Sequence, residues 1–163
     1  MTNAGRKVAV IGSFRRFYTE VLEAIAAFSA AGLAVTSPAG AALTQGGAFV
    51  RFASDRADWS NSQVQTAALA KIFEAEIAFV VAPGGYVGRS TCYEIGRLYQ
   101  ARRPVIFSAA PDDLPVAVPP AHVMAASDLA RRLATGEIFS WVHNGSDEFD
   151  ALEQALTGPD MFR

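Results

Sequence analysis

The chain has 163 residues, 51% of them hydrophobic, and a formal charge of −2 with acids and bases interspersed, so it has ample apolar material for one domain core and no broad basic face for nucleic acid. A single cysteine, Cys92, excludes an internal disulfide and a cysteine-based metal cluster, and two histidines, His122 and His143, are too few to build a metal site unaided. No apolar run reaches the ~18 residues of a membrane span and no leader pattern opens the chain; a soluble cytoplasmic protein is expected, with no membrane or nucleic-acid partner.

Lys7 to Gly12 reads as a buried strand, and Phe17 to Ala31 repeats apolar residues at helical spacing until Gly32 closes it. Leu33 to Pro38 follows as a second strand. The stretch from Ala39 to Asn61 shows no sustained period, as expected of a functional loop. Ser62 is placed to cap a helix running through Glu74, with Val64, Ala68, Leu69 and Ile72 on one face, and Ile77 to Ala82 forms a third strand without polar alternation. Thr91 to Ala101 is the next helix and Pro104 to Phe107 a fourth strand. After a proline-rich segment, His122 to Ala125 is a short fifth strand, Ser127 caps a helix, and Asp147 to Leu156 forms the last one. Phe139, Trp141 and Phe162 fit a subunit interface or the core, and the core is the preferred reading.

Alternating strands and helices, with strands apolar throughout, imply a single-domain α/β fold. It is a doubly wound, five-stranded parallel sheet, Rossmann-like or flavodoxin-like, in the order 2-1-3-4-5. In that order the first and third strands are neighbours and the winding reverses between them. The loops Gly12 to Arg16 and Pro83 to Ser90 therefore share a crevice at the strand ends.

The first loop holds Gly12, Ser13, Arg15 and Arg16 before a helix N-terminus, where free N–H groups and the dipole favour an anion such as phosphate. A serine cap and two solvated arginines explain the same residues. Neither the dinucleotide nor the nucleoside-triphosphate glycine pattern is present. In the second loop Gly84, Gly85 and Gly88 let backbone approach a ligand, Tyr86 is able to stack and Ser90 to donate a hydrogen bond. Glu94, read as lying in the first helical turn, would be held ionised there as a nucleophile. Thr91-Cys92-Tyr93-Glu94 also matches a capping box, in which the glutamate only satisfies a backbone donor. Gly96 inside the helix suggests close packing, and Cys92 reads as a small core residue. From the long loop, Arg51, Asp55, Asp58 and Trp59 are candidates for a lid, the tryptophan gripping a planar base and an aspartate donating a proton.

The strand followed by Ala-Pro-Gly-Gly-Tyr-Val-Gly-Arg-Ser-Thr-Cys-Tyr-Glu94-Ile-Gly, together with Ile11-Gly12-Ser13, resembles the nucleoside 2-deoxyribosyltransferase-like superfamily, which includes the 2'-deoxynucleoside 5'-monophosphate N-glycosidases. The likeness spans residues 7 to 108. It implies that Glu94 is the nucleophile, that Gly12 and Ser13 line a sugar or phosphate pocket with Arg15 or Arg16, that no cofactor is needed, and that the chain forms a homo-oligomer acting on a small nucleoside or nucleotide. Two positions depart from the family pattern. Gly88 stands where relatives carry an aspartate or a serine, and Ala67 is the nearest match to a further aspartate. A looser similarity joins the glycine loop to the phosphoribohydrolases that activate cytokinins, with the glutamate displaced by three residues. Cleavage or transfer of an N-glycosidic bond is the expected activity; a non-catalytic nucleotide-binding module, or a phosphoribohydrolase of the cytokinin-activating type, is the alternative.

Overall fold

The computed structural model describes residues 5–38, 40, 43–44, 49–141 and 147–157. The strands are β1 (Lys7–Gly12), β2 (Ala34–Ser37), β3 (Ile77–Val81) and β4 (Val105–Phe107). Around them lie the helices α1 (Tyr18–Ala30), α2 (Asn61–Phe73), α3 (Arg89–Gln100), α4 (Ala126–Ala134) and α5 (Asp147–Thr157). All strand pairs are parallel, in the order β2-β1-β3-β4.

The alternation of each strand divides the core into two layers. Val8 and Val10 of β1, with Ile77, Phe79 and Val81 of β3, face Val21, Ala24 and Phe28 of α1 and Leu129 and Leu133 of α4. Ala9, Ile11, Ala78 and Val80 face Ile72 of α2 and Ile95, Leu98 and Tyr99 of α3. Both sheet faces are therefore covered, which is why β1 and β3 need no polar residue between Val8 and Ile11 or between Ile77 and Val81. Phe139 packs against the first layer, as expected of a core residue; Phe162 and His143 lie outside the described residues.

The sheet has four strands among the described residues, not five. Where a fifth was expected, Pro120–His122 forms a 3₁₀ turn and only Val123 bridges Phe107 in parallel, with Met124 N–H donating to the Phe107 carbonyl at 2.9 Å. Pro119 and Pro120 lack the N–H groups a longer ladder would use.

Three helix starts also differ from expectation. Helix α2 is capped by Ser60, not Ser62, through a reciprocal capping box with Gln63. Helix α4 begins after Ala125 with no side-chain cap, so Ser127 lies inside it. Helix α3 begins after Gly88, whose φ of +89° makes the sharp entry into the helix. Cys92 N–H donates to the Gly88 carbonyl at 2.9 Å, so Thr91 is already helical and the expected Thr91/Glu94 capping box does not form. Glu94 then falls in the second turn, and the first turn carries no acid.

Candidate functional site

β1 and β3 end side by side at the reversal of winding, and Gly12 is the residue that lets them do so. A Cβ there would stand 2.7 Å from the Val81 carbonyl oxygen, and its φ of +152° is one that residues with side chains rarely adopt. Beyond this point a cleft of about 590 Å³ opens, within the range of small-molecule sites. Its walls come from the loop after β1, the end of β2, the 49–55 segment, α2, and the loop leading into α3.

Of the residues singled out in the sequence, Gly12, Ser13, Arg15, Asp55, Tyr86, Gly88, Ser90 and Glu94 line this cleft. The others do not. Arg16 lies with its guanidinium 4.1 Å from the centre of the Tyr86 ring, a cation–π contact that ties the two loops together. Gly84 forms the left-handed corner of the 3₁₀ turn Pro83–Gly85, and Gly85 is packed against the Ala110 carbonyl and the Asp112 side chain. Trp59 lines a separate shallow groove of about 410 Å³ beside Ser62, Thr66 and Ala67 on α2.

The expected lid is a self-braced loop. Arg51 donates to the Trp59 carbonyl at 2.6 Å and to Asn61 at 2.9 Å, so its guanidinium is spent on shaping the chain between them. Asp58 pairs with Arg56 at the exposed surface, which lowers its pKa and makes it no proton donor to the cleft. Asp55 does face the cleft, and its Oδ2 accepts from Phe52 N–H at 2.7 Å. Phe52 in turn packs edge-on to Phe14, ring centres 5.1 Å apart, giving the cleft an aromatic wall.

Glu94 lines the same cleft. Only 8% of its surface is exposed, and burial pushes its carboxyl pKa up to about 7 although Gln65 Nε2 donates to Oε1 at 2.9 Å and opposes the shift. The sequence placed this carboxylate beside the helix dipole and expected a firmly ionised group. Its position one turn deeper, among side chains of α2 and α3, makes desolvation the larger effect.

Two supporting residues escaped the sequence reading. Gln65 is a polar residue at the edge of the apolar face of α2, beside Val64 and Ala68, which also line the cleft; its adjacency to that face was the available signal. Asp113, from the proline-rich segment, accepts Val87 N–H at 2.8 Å through one carboxylate oxygen and Gly88 N–H at 3.0 Å through the other. With Ser108 Oγ accepting from Ala82 N–H at 2.8 Å and Asp112 N–H donating to Gly85 at 3.0 Å, it ties the whole β3–α3 loop to the chain after β4. Nothing local in the sequence marks this clamp.

The described residues contain no cluster of histidine, cysteine and carboxylate side chains suited to a metal ion, and no described helix is long and apolar enough to cross a membrane. Cys92 is half-buried, its thiol pKa raised by burial. The arrangement can do two things chemically. It can offer a desolvated carboxyl group to a reacting centre, and it can hold a planar group against the phenylalanines that line the same cleft. Set against protein-family models, curated proteins and solved structures, the chain matches none.

Proposed function

We propose that the protein cleaves or transfers the N-glycosidic bond of a nucleoside or nucleoside monophosphate, with Glu94 as nucleophile. The observation that carries this reading is a buried carboxyl in a cleft that the packed rings of Phe14 and Phe52 also line. A nucleoside offers a counterpart to each, an electrophilic anomeric carbon at the sugar and a flat base. Glu94 would add an oxygen lone pair to the anomeric carbon as the carbon–nitrogen bond breaks, through an oxocarbenium-like transition state. The bonding pair leaves with the base, which takes a proton. Asp55, the other acidic side chain lining the cleft, is the donor best supported by position and would act from its protonated form. Water, or a second base, then attacks the same carbon and returns Glu94 as a carboxylate.

Selection between free nucleosides and monophosphates would fall to the loop after β1 and the N-terminus of α3, where Ser13, Arg15, Arg89 and Ser90 border the cleft. Cytoplasmic location is part of the same proposal, and so is assembly into a homo-oligomer, which rests on the family resemblance and the apolar helices.

The test is chromatographic detection of free base across a panel of nucleosides and their monophosphates. The wild-type chain is expected to release base from at least one of them, and Glu94→Gln to bind that compound without releasing it. Saturable binding with no release by the wild type would establish the non-catalytic alternative.

A further inference from the structure

We infer that Gln65 is a positioning residue for Glu94: its amide fixes one carboxylate oxygen and directs the other toward the anomeric carbon. The inference rests on the reading of Glu94 as nucleophile and adds a partner that the family resemblance does not supply. The geometry begins on α2, where Gln65 follows the buried Val64 and precedes Ala68 by three residues, so it leans from the edge of the packed face into the cleft. From there Nε2 reaches Oε1 of Glu94 at 2.9 Å, across a part-buried space between two helices.

An amide suits this place for a chemical reason. The carboxyl of a nucleophile passes through three stages in one cycle: the free carboxylate, the glycosyl ester, and the carboxylate again once water has displaced the sugar. In all three, Oε1 carries lone pairs and no proton, and a neutral N–H donor serves each of them. A carboxylate at position 65 would repel the free form and donate nothing. A lysine would hold the carboxylate so strongly that its nucleophilicity would fall. The amide also favours the ionised over the protonated acid, countering the burial that favours the neutral form.

The other charged or titratable groups around the cleft come from separate segments: Arg15 after β1, Asp55 in the 49–55 segment, Tyr86 before α3 and Arg89 in its first turn. Changes confined to Gln65 leave these in place, so a movement of the Glu94 titration reports the amide.

The experiment uses the full chain with ¹³C-labelled glutamate carboxyl groups, Glu94→Gln serving to identify the Glu94 resonance. Gln65→Met keeps the length and apolar stem but has no donor. Gln65→Glu keeps the shape and replaces the donor by a like charge. In both, the Glu94 midpoint is expected to rise by about one pH unit or more, an approximately ten-fold loss of the ionised fraction at pH 6. The acid limb of kcat/KM should move with it, while KM stays within about two-fold. A midpoint unchanged in either folded variant would overturn the inference, whatever happens to the rate. Should the wild type release no base while the midpoint still moves, the pairing stands and the nucleophile reading falls, so the two failures are told apart.

Discussion

Glu94→Gln is expected to make the protein more stable at alkaline pH, by an amount that follows from the burial of the carboxyl. In the folded chain the group has a pKa of about 7 against an ordinary value of 4.5. The folded value is the higher one, so the folded state holds the proton more tightly than the unfolded state. Below pH 4.5 both states are protonated and the carboxyl costs nothing. As pH rises through 4.5 the unfolded chain ionises first, stability falls, and the loss is complete above pH 7. At about 1.4 kcal/mol per pH unit the whole effect is about 3 kcal/mol. Glutamine mimics the protonated acid at every pH and still offers an oxygen to Gln65. The stability gap between variant and wild type should therefore widen by about 3 kcal/mol from pH 4.5 to pH 8, or roughly 6–12 °C in Tm for a chain of this size. Urea unfolding of both proteins across that range measures it, and taking the difference removes the contributions of other groups, including His122, whose pKa burial lowers. A gap that stays constant from pH 4.5 to pH 8 would refute the account of a desolvated Glu94.

On the proposed mechanism the same titration would govern catalysis: a Glu94 nucleophile must be ionised, so kcat/KM should fall about ten-fold per pH unit below about pH 7, and a rate still flat at pH 5 would be inconsistent with Glu94 attacking. Gly12→Ala sets a Cβ 2.7 Å from the Val81 oxygen at a backbone angle that disfavours alanine, and is expected to cost roughly 2–4 kcal/mol in chemical denaturation; a neutral outcome would mean that β1 and β3 do not close as described. Asp113→Ala strips the acceptor from two N–H groups ahead of α3, for a loss of about 1–2 kcal/mol, with Asp113→Asn intermediate because it keeps one oxygen; identical Tm values for all three proteins would remove the clamp. Ser60→Ala breaks the capping box of α2 at a cost of about 1 kcal/mol, read by thermal unfolding, and no change would show that the cap adds nothing.

How far the sequence could be read depended on whether the deciding interaction was local. The unbroken apolar runs of β1 and β3 and the period of α1 are local properties, and they led to a parallel sheet with its reversal between β1 and β3. That reversal brought Gly12, Ser13, Tyr86, Gly88 and Glu94 to one cleft from segments some 70 to 80 residues apart. The start of α3 was misjudged because hydroxyl residues are the favoured caps, whereas here the turn is made by Gly88 through its backbone. That shift of three residues changed the chemistry of Glu94 from a dipole-stabilised anion to a buried group near neutrality. Asp113 acts across 25 and 26 residues of chain and Gln65 across 29, and no spacing rule connects them to the groups they hold. Arg51 and Trp59, read as lid residues, are partners in bracing their own loop, a contact that composition does not reveal.

The central claim is that Glu94 forms a covalent bond to the sugar, and the most direct measurement is the mass of that adduct. Incubation with a cleavable nucleoside whose sugar carries a 2-fluoro group, which slows release of the glycosyl-enzyme, should be followed by rapid acid quench and tryptic digestion. The account expects the peptide from Ser90 to Arg97 to gain the mass of the fluorinated sugar at Glu94, and the Glu94→Gln protein to gain none. Release of base with the sugar on another residue, or on none while Glu94→Gln retains the wild-type rate, would contradict it.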